Sequence, residues 1–193
     1  MRIGVTGKNS LIAREFVRLA SDCEFVYGTV DTLPTDLDGY FLCAGVLIGK
    51  DARSITDEEA KDTLWVNFLD VVRFCDRVFE SNNRARVCIM GSMSGVQGSF
   101  DTVYAASKSG LHMYVETKKL THSEQHIVAI APTIIEDTGM TRRRKDFDQV
   151  IARGAERRLG RWLRSEEVAR TALFALNERA LSNTVIRITG GNW

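Results

Sequence analysis

The stretch MRIGVTGKNSLIAREF (residues 1–16) joins a strand-like run to a helix-like run through a short turn. Residues 2–7 are mostly apolar and end in glycine, the pattern of a buried strand that enters a turn. From Leu11 onward, apolar residues recur at the spacing of one helical face. A strand that passes through a tight turn into a helix is the opening unit of doubly wound α/β domains. We therefore expect a sheet whose first strand is followed by a covering helix.

The same alternation continues to the other end of the chain. Further strands are expected at residues 24–28, 40–45, 86–92, 126–132 and 184–191, and helices at 11–20, 56–81, 102–120 and 165–176. Because the strands are apolar throughout and are separated by helices, the sheet should be parallel and covered on both faces. The sequence predicts one α/β domain over residues 1–193, with a doubly wound, Rossmann-type parallel sheet of about six strands.

Composition and charge argue against several classes of protein. The formal net charge of +1 gives no reason to expect a nucleic-acid partner, and no apolar run approaches the ~18 residues of a membrane span. The four cysteines lie far apart inside apolar runs, and the N-terminus leads directly into a strand rather than a signal peptide. Neither the cysteines nor the three histidines have the spacing of metal ligands. We expect a cytoplasmic protein that has no metal site and binds neither nucleic acid nor membranes.

Small and polar residues directly follow several of the predicted strands. Gly7 follows the first, Ala44 and Gly45 the third, Ser92 the fourth and Pro132 the fifth. In open α/β sheets, ligands bind beyond the carboxyl ends of the strands. The sequence therefore predicts a ligand site along this edge of the sheet.

The stretch VYAASKSG (103–110) places Tyr104 and Lys108 four residues apart, on one face of a predicted helix. An ammonium close to a phenol lowers the pKa of the phenol, which suits a proton donor in carbonyl reduction. Two unrelated neighbours one turn apart would show the same spacing. Ser92 could direct its hydroxyl into the same pocket, and Asn67 lies in the apolar run LWVNFLD, where a buried amide needs partners. A water bound to the lysine is one candidate partner.

Several short motifs now appear in a fixed order along the chain. They are TGKNSLIA (6–13), CAG (43–45), VNF (66–68), GSMSG (91–95), YAASK (104–108), AP (131–132), SEEVA (165–169) and ITGG (188–191). In these motifs and their order, over nearly its whole length, the sequence resembles the short-chain dehydrogenase/reductase family.

The resemblance implies an NAD(P)-dependent oxidoreductase that transfers hydride between the nicotinamide and a carbonyl or hydroxyl carbon. Carried over to this sequence, Tyr104 would be the general acid/base, and Lys108 would lower its pKa and bind the nicotinamide ribose. Ser92 would hydrogen-bond the substrate oxygen, and Asn67 would hold a water in a proton relay from Lys108.

The resemblance also implies a set of residues that contact NAD or NADP. The set is Gly7, Lys8, Asn9, Ser10, Leu11, Ile12, Asp31, Cys43, Ala44, Gly45, Tyr104, Lys108, Pro132, Thr133 and Ile135. Asp31 or Asp36 on an adenosine ribose hydroxyl would favour NAD, whereas Lys8 on a 2′-phosphate would favour NADP. The sequence leaves this choice open.

The sequence departs from the family pattern at the phosphate-binding turn. Leu11 and Ala13 stand where the common form of this turn has glycines, whereas Gly7, Ser10 and Ala13 match the spacing of the extended form with small residues. Beside the nicotinamide, Thr133 replaces a glycine. These changes bear on cofactor affinity more than on the fold.

A larger departure follows the second strand. Only eleven residues, 29–39, separate EFVYG from YFLCAG, where the family places a helix, a strand and a second helix. Eleven residues extend over about 36–40 Å at most, enough to cross the sheet once. We therefore expect one strand and its flanking helices fewer than usual, and a shortened adenine side of the cofactor site.

The segment 139–164 carries nine basic residues and three acidic ones. In the family this segment covers the substrate, so a positive charge would suit an anionic substrate. A solvated surface or a contact between subunits would explain it equally well. Two alternatives to the oxidoreductase remain at this point: a cofactor-binding regulator or interaction protein without turnover, and an enzyme that modifies sugar nucleotides.

The family usually forms dimers or tetramers through its long helices. The resemblance therefore implies a homodimer or homotetramer that pairs through residues 56–81 and 102–120. In that case the apolar residues Val71, Phe74, Val78, Leu111 and Val115 would lie in the interface rather than in the core.

Overall fold

The computed structural model describes residues 1–191 and contains one six-stranded parallel sheet with the order β2-β1-β3-β4-β5-β6. The strands are β1 (Arg2–Thr6), β2 (Glu24–Tyr27), β3 (Gly39–Leu42), β4 (Arg86–Met90), β5 (His126–Pro132) and β6 (Thr184–Ile188). The strand order reverses between β1 and β3, so the sheet is doubly wound. This confirms the predicted Rossmann-type fold and the number of strands.

The helices cover both faces of this sheet. They are α1 (Leu11–Leu19), α2 (Asp57–Leu64), α3 (Asp70–Ser81), α4 (Ser94–Gln97), α5 (Thr102–Thr117), α6 (Gly139–Arg142), α7 (Phe147–Gly154) and α8 (Ser165–Asn177), with a π-helical turn at Trp65–Leu69 and a 3₁₀ turn at Arg179–Leu181. Helices α1 and α8 pack on one face of the sheet, whereas α3, α5 and the segment after β2 pack on the other. None of the helices within residues 1–191 is long and apolar enough to cross a membrane.

The connection between β2 and β3 is as short as the sequence predicts. Residues 28–38 cross the sheet without a helix or strand, and Leu33 and Leu37 are buried against α3. Tyr40 holds this connection in place, because its hydroxyl donates to the Pro34 carbonyl (2.9 Å) and accepts from the Leu37 amide (3.0 Å). Strand β2 is therefore the edge of the sheet, and no further strand lies beyond it in the described chain.

The prediction that five apolar residues of the long helices lie in a subunit interface is wrong. Val71, Phe74, Val78, Leu111 and Val115 are all buried within the single chain. They form the apolar faces with which α3 and α5 pack on the sheet, and burial there satisfies the amphipathic pattern without a second subunit.

Candidate active site

Tyr104 and Lys108 lie one turn apart on α5, at the carboxyl edge of the sheet. Helix α5 begins there because Asp101 caps it, with its Oδ1 accepting from the Tyr104 amide at 2.9 Å. The other carboxylate oxygen of Asp101 accepts from the Gly49 amide, also at 2.9 Å. One buried carboxylate therefore fixes the start of the helix and the segment that follows β3.

Lys108 is buried, with 3% of its surface exposed. Its ammonium donates to the Met90 carbonyl at the end of β4 (2.9 Å) and forms no ion pair within residues 1–191. Burial lowers the pKa of Lys108 to about 8, because the charged form loses its hydration. The geometry thus holds a cation in the pocket without an acidic partner.

Tyr104 is also buried, and its phenol meets Ser92. Burial raises the pKa of Tyr104, while a hydrogen bond with the Ser92 side chain acts in the opposite direction. The prediction that Lys108 lowers the pKa of Tyr104 is therefore wrong for the protein without cofactor. The Lys108 ammonium lies 5.7 Å from the centroid of the tyrosine ring and donates to a carbonyl instead. Tyr104 consequently keeps its proton at neutral pH.

Asn67 lies in the π-helical turn between α2 and α3 and is fully buried. Its Oδ1 accepts from the Val46 amide and its Nδ2 donates to the Val46 carbonyl, both at 2.8 Å. Its Nδ2 also donates to the Ser107 hydroxyl at 3.4 Å, so this buried amide has partners on both the segment after β3 and α5. Gly45 lies between Asn67 and Lys108, and a Cβ at this position would come within 3.1 Å of Asn67 Oδ1 and 3.6 Å of Lys108 Nζ.

His112 completes the cluster and was missed in the sequence. Its Nε2 accepts from the Ser92 amide at 3.3 Å, and the ring lies over Gly91, where a Cβ would come within 2.5 Å of Nε2. The pKa of His112 falls to about 4, chiefly through burial and then through the nearby Lys108 charge. His112 could have been found from its spacing, because it follows Lys108 by four residues, as Lys108 follows Tyr104, and therefore lies on the same helical face.

Because His112 is neutral in the folded protein, we expect the protein to lose stability in mild acid. In the unfolded chain the imidazole binds a proton near pH 6.5, whereas in the folded protein it does so only near pH 4. Between these values the unfolded state holds more protons, so the free energy of unfolding falls as the pH falls. We expect His112 to account for about 1 to 2 kcal/mol of this loss by about pH 5.

Urea unfolding at neutral pH and near pH 5 measures this dependence. The pKa of buried His126 is lowered as well, so part of the slope belongs to that residue. His112→Gln keeps an acceptor for the Ser92 amide but cannot titrate. It should reduce the slope, and an unchanged slope in this variant would contradict the assignment.

The turn after β1 retains the features of a phosphate-binding loop. Gly7 has a positive φ of 71°, and a Cβ there would come within 3.0 Å of the Ala44 amide nitrogen. Ser10 precedes the first turn of α1, where the amides of Leu11 and Ile12 form no hydrogen bond within the described chain. Free amides at a helix N-terminus attract phosphate oxygens, so these residues fit a dinucleotide.

The other predicted cofactor contacts lie along the same edge of the sheet. Cys43 is buried beside Ser10, with Sγ 3.7 Å from Oγ, and burial raises the pKa of its thiol to about 11. Lys8 and Asn9 lie in the exposed turn after β1, and Asp31 lies in the exposed turn after β2. Pro132 ends β5, the Thr133 amide donates to the Ile188 carbonyl of β6, and Ile135 lies in the core beside α1.

Within residues 1–191, no group of three histidine, cysteine, aspartate or glutamate side chains could hold a metal ion. Ser92, Tyr104, Lys108 and Asn67 are brought together, whereas Asp31 lies apart, near Asp70 of α3, whose pKa is raised by burial and then by the Asp31 charge. The arrangement offers a proton donor, a hydroxyl and a buried cation at the same edge of the sheet as the turn after β1.

Comparison with known proteins shows which structures share this fold. No curated protein matches the sequence significantly. Solved structures with similar folds include a short chain dehydrogenase family protein of Francisella tularensis (19% identity, TM-score 0.81, covering 98% of this chain and 97% of that one). The ligand-free aldohexose dehydrogenase of Thermoplasma acidophilum (15%, 0.83, 98% and 92%) and BdcA in complex with NADPH (17%, 0.80, 98% and 93%) are also similar.

These structural likenesses show a shared fold. The sequence itself gives the family, because the model described as short chain dehydrogenase matches residues 6–149, which include Asn67, Ser92, Tyr104 and Lys108. The chain belongs to the short-chain dehydrogenase family, whose members use NAD or NADP.

Proposed function

We propose that the protein reduces a carbonyl compound, or oxidises the corresponding alcohol, with NAD or NADP. The observation that carries this proposal is the buried, protonated Tyr104, which lies on α5 one helical turn from the Lys108 ammonium, a buried cation without an ion pair in residues 1–191. A structural role alone would not account for a buried cation without an acidic partner, because burial of an unpaired charge is unfavourable.

The cofactor would be held by three parts of the chain. The first turn of α1, with Gly7 and the amides of Leu11 and Ile12, suits the pyrophosphate, and Lys108 suits the ribose hydroxyls next to the nicotinamide. Ala44 and Gly45 leave space between these two ends of the site. When bound, the cofactor supplies or accepts the hydride.

The remaining chemistry belongs to this chain. Tyr104 donates its phenolic proton to the substrate oxygen as the carbonyl carbon is reduced, and accepts a proton in the reverse direction. Ser92 hydrogen-bonds the same oxygen and fixes its position. The Lys108 ammonium stabilises the negative charge that forms on the Tyr104 oxygen, an effect that burial strengthens. Asn67 positions the segment after β3 through its two bonds to Val46.

The short connection after β2 favours a second candidate, a non-catalytic regulator or interaction protein of the same fold that no longer binds a dinucleotide. With β2 at the edge of the sheet, the adenosine end of a dinucleotide has fewer residues to contact. Loss of affinity there would leave the fold intact and remove turnover. Binding of the cofactor therefore separates the two candidates.

The first experiment is a titration of the purified protein with NADH and NADPH, followed by nicotinamide fluorescence. We expect micromolar binding of one of them and at least tenfold weaker binding by Gly7→Ala. Gly160→Ala is the matched control, because Gly160 has the same φ of 71° but no atom near its missing Cβ. Absence of binding of both nucleotides at millimolar concentration would overturn the oxidoreductase proposal in favour of the second candidate.

We also propose that the protein is a cytoplasmic homodimer or homotetramer. The outward faces of α2, the π-helical turn and α5 expose Leu64, Trp65, Val66 and Met113, of which Met113 is 61% exposed. These residues, rather than the buried ones named from the sequence, would form the contact between subunits.

A further inference from the structure

A cavity lies between α7 and the segment that leads to α8, apart from the Tyr104 cluster. It has a volume of about 300 Å³ and is lined by Ile134, Arg153, Glu156, Arg157 and Trp162. Its wall is attached to the carboxyl end of β5, because the Leu163 amide donates to the Ile134 carbonyl at 3.3 Å. One wall of the cavity therefore lies just beyond the carboxyl end of β5, at the same edge of the sheet as the proposed active site.

Arg157 is held in place inside this cavity. Its guanidinium carbon lies 4.3 Å from the centroid of the Trp162 ring, within the range of a cation–π contact. Trp162 is itself fixed, since its Nε1 donates to the Val150 carbonyl at 2.6 Å and its ring fills the space that a side chain at Gly154 would need. The guanidinium is thus oriented before any ligand arrives.

The Nε of Arg157 is buried and has no hydrogen-bond partner within residues 1–191. Arg157 has no ion pair there either, and neither has Arg153, which also lines the cavity. Other arginines of the basic segment do have carboxylate partners, namely Arg144 with Asp146, Arg161 with Glu167 and Arg164 with Glu136. The positive charges of Arg157 and Arg153 thus have no carboxylate partner in this part of the chain, so an anion in the cavity is favoured.

We propose that this cavity binds the carboxylate of a small organic anion, with the terminal N–H groups of Arg157 donating to it and Arg153 supplying a second positive charge. The planar guanidinium fork matches the two oxygens of a carboxylate. The lining residues carry a net charge of +1, from Arg153, Arg157 and Glu156, which balances a single negative charge. Ile134 and Trp162 form an apolar wall for the carbon skeleton.

The occupant that this location favours is the substrate of the proposed oxidoreductase, and this assignment rests on that function. The binding site itself does not, because its residues are separate from those proposed for the cofactor. The protein would then act on carbonyl or hydroxyl compounds that also carry a carboxylate.

The test is a titration of ¹⁵N-labelled protein, without cofactor, followed by the Trp162 indole N–H signal in an NMR spectrum. Benzoate serves as the carboxylate probe, inorganic phosphate as the other oxyanion and benzyl alcohol as the uncharged analogue. We expect a saturable shift with benzoate, at least tenfold weaker binding of phosphate and no saturation with benzyl alcohol. Equal or tighter binding of phosphate would overturn the choice of a carboxylate.

Two variants and a control test whether the benzoate-induced shift of the Trp162 signal comes from binding in the cavity. Arg157→Gln should weaken benzoate binding at least tenfold, and exposed Arg153→Gln, which leaves the Trp162 stacking intact, should weaken it severalfold. Arg143→Gln is the control, because Arg143 is an exposed arginine of the same segment outside the cavity. Unchanged binding in both cavity variants, or no saturable shift in the wild type, would refute the proposal.

The outcome is independent of the nucleotide titration. A benzoate shift without NADH or NADPH binding would support the anion site and remove its assignment to a substrate. Nucleotide binding without a benzoate shift would leave the oxidoreductase proposal in place and refute the anion site.

Discussion

Tyr104→Phe should lower kcat by about 10³-fold, the effect expected when a proton donor is removed from a reaction. The substitution deletes one hydroxyl and leaves a buried ring of the same shape on α5. The dissociation constant of the cofactor should remain within about threefold of the wild-type value. The groups proposed to hold the nucleotide are the first turn of α1 and Lys108, and the substitution leaves both in place. Oxidation of NADH or NADPH with the best substrate from a carbonyl screen measures the effect.

Tyr114→Phe is the matched control for this experiment. Tyr114 lies on the same helix and also uses its hydroxyl, which donates to Asp76 Oδ1 at 2.7 Å on the side facing α3. We expect its loss to reduce stability by about 1 kcal/mol and to leave kcat unchanged. If Tyr104→Phe retained more than a tenth of the wild-type kcat, Tyr104 would not be the proton donor.

Lys108→Met should abolish turnover and at the same time stabilise the fold. The buried ammonium has one hydrogen bond, to Met90, and its pKa of about 8 shows that the folded protein disfavours the charge. Methionine fills a similar volume without a charge, so we expect the free energy of unfolding at neutral pH to rise by about 1 to 3 kcal/mol. A lysine kept for its structural role would give the opposite sign.

The pH dependence of this difference gives an independent check. Between pH 8 and 10.5 the unfolded chain still holds the lysine proton, whereas the folded protein has released it. Wild-type stability therefore gains from Lys108 as the pH rises through this window, and the variant should lose its advantage. Buried thiols such as Cys75, whose pKa is raised, act in the opposite direction, so the difference between the two proteins is the quantity to measure. A difference that does not change with pH would contradict the low pKa.

The parallel sheet was predictable because its central strands β3, β4 and β5 are mostly apolar and are buried on both faces. The missing edge strand was predictable from length alone, since eleven residues cannot hold another strand with its helices. Tyr40, which holds the short connection, gave no comparable signal, because its partners are backbone groups within the same connection.

The candidate site was only partly predictable. The residue types and their order pointed to Ser92, Tyr104 and Lys108, which the structure brings together. The direction of the Tyr104 pKa was wrong, because burial is a property of the whole fold and cannot be derived from a four-residue spacing. The partners of Asn67 were missed for the same reason, since Val46 and Ser107 lie 21 and 40 residues away along the chain.

The π-helical turn at Trp65–Leu69 also sets the phase of the helices on either side of it. Each residue of an α-helix advances by about 100°, so a turn that is one residue wider rotates α2 relative to α3 by roughly that angle. Helix α3 can therefore keep its apolar side on the sheet while Asn67, just before it, faces Val46. Deletion of one residue from this turn would restore a regular helix and move the amide off its partners. In an alignment of relatives, a single-residue gap at this position would thus indicate a regular helix that packs on the sheet but does not hold the Asn67 amide against the segment after β3.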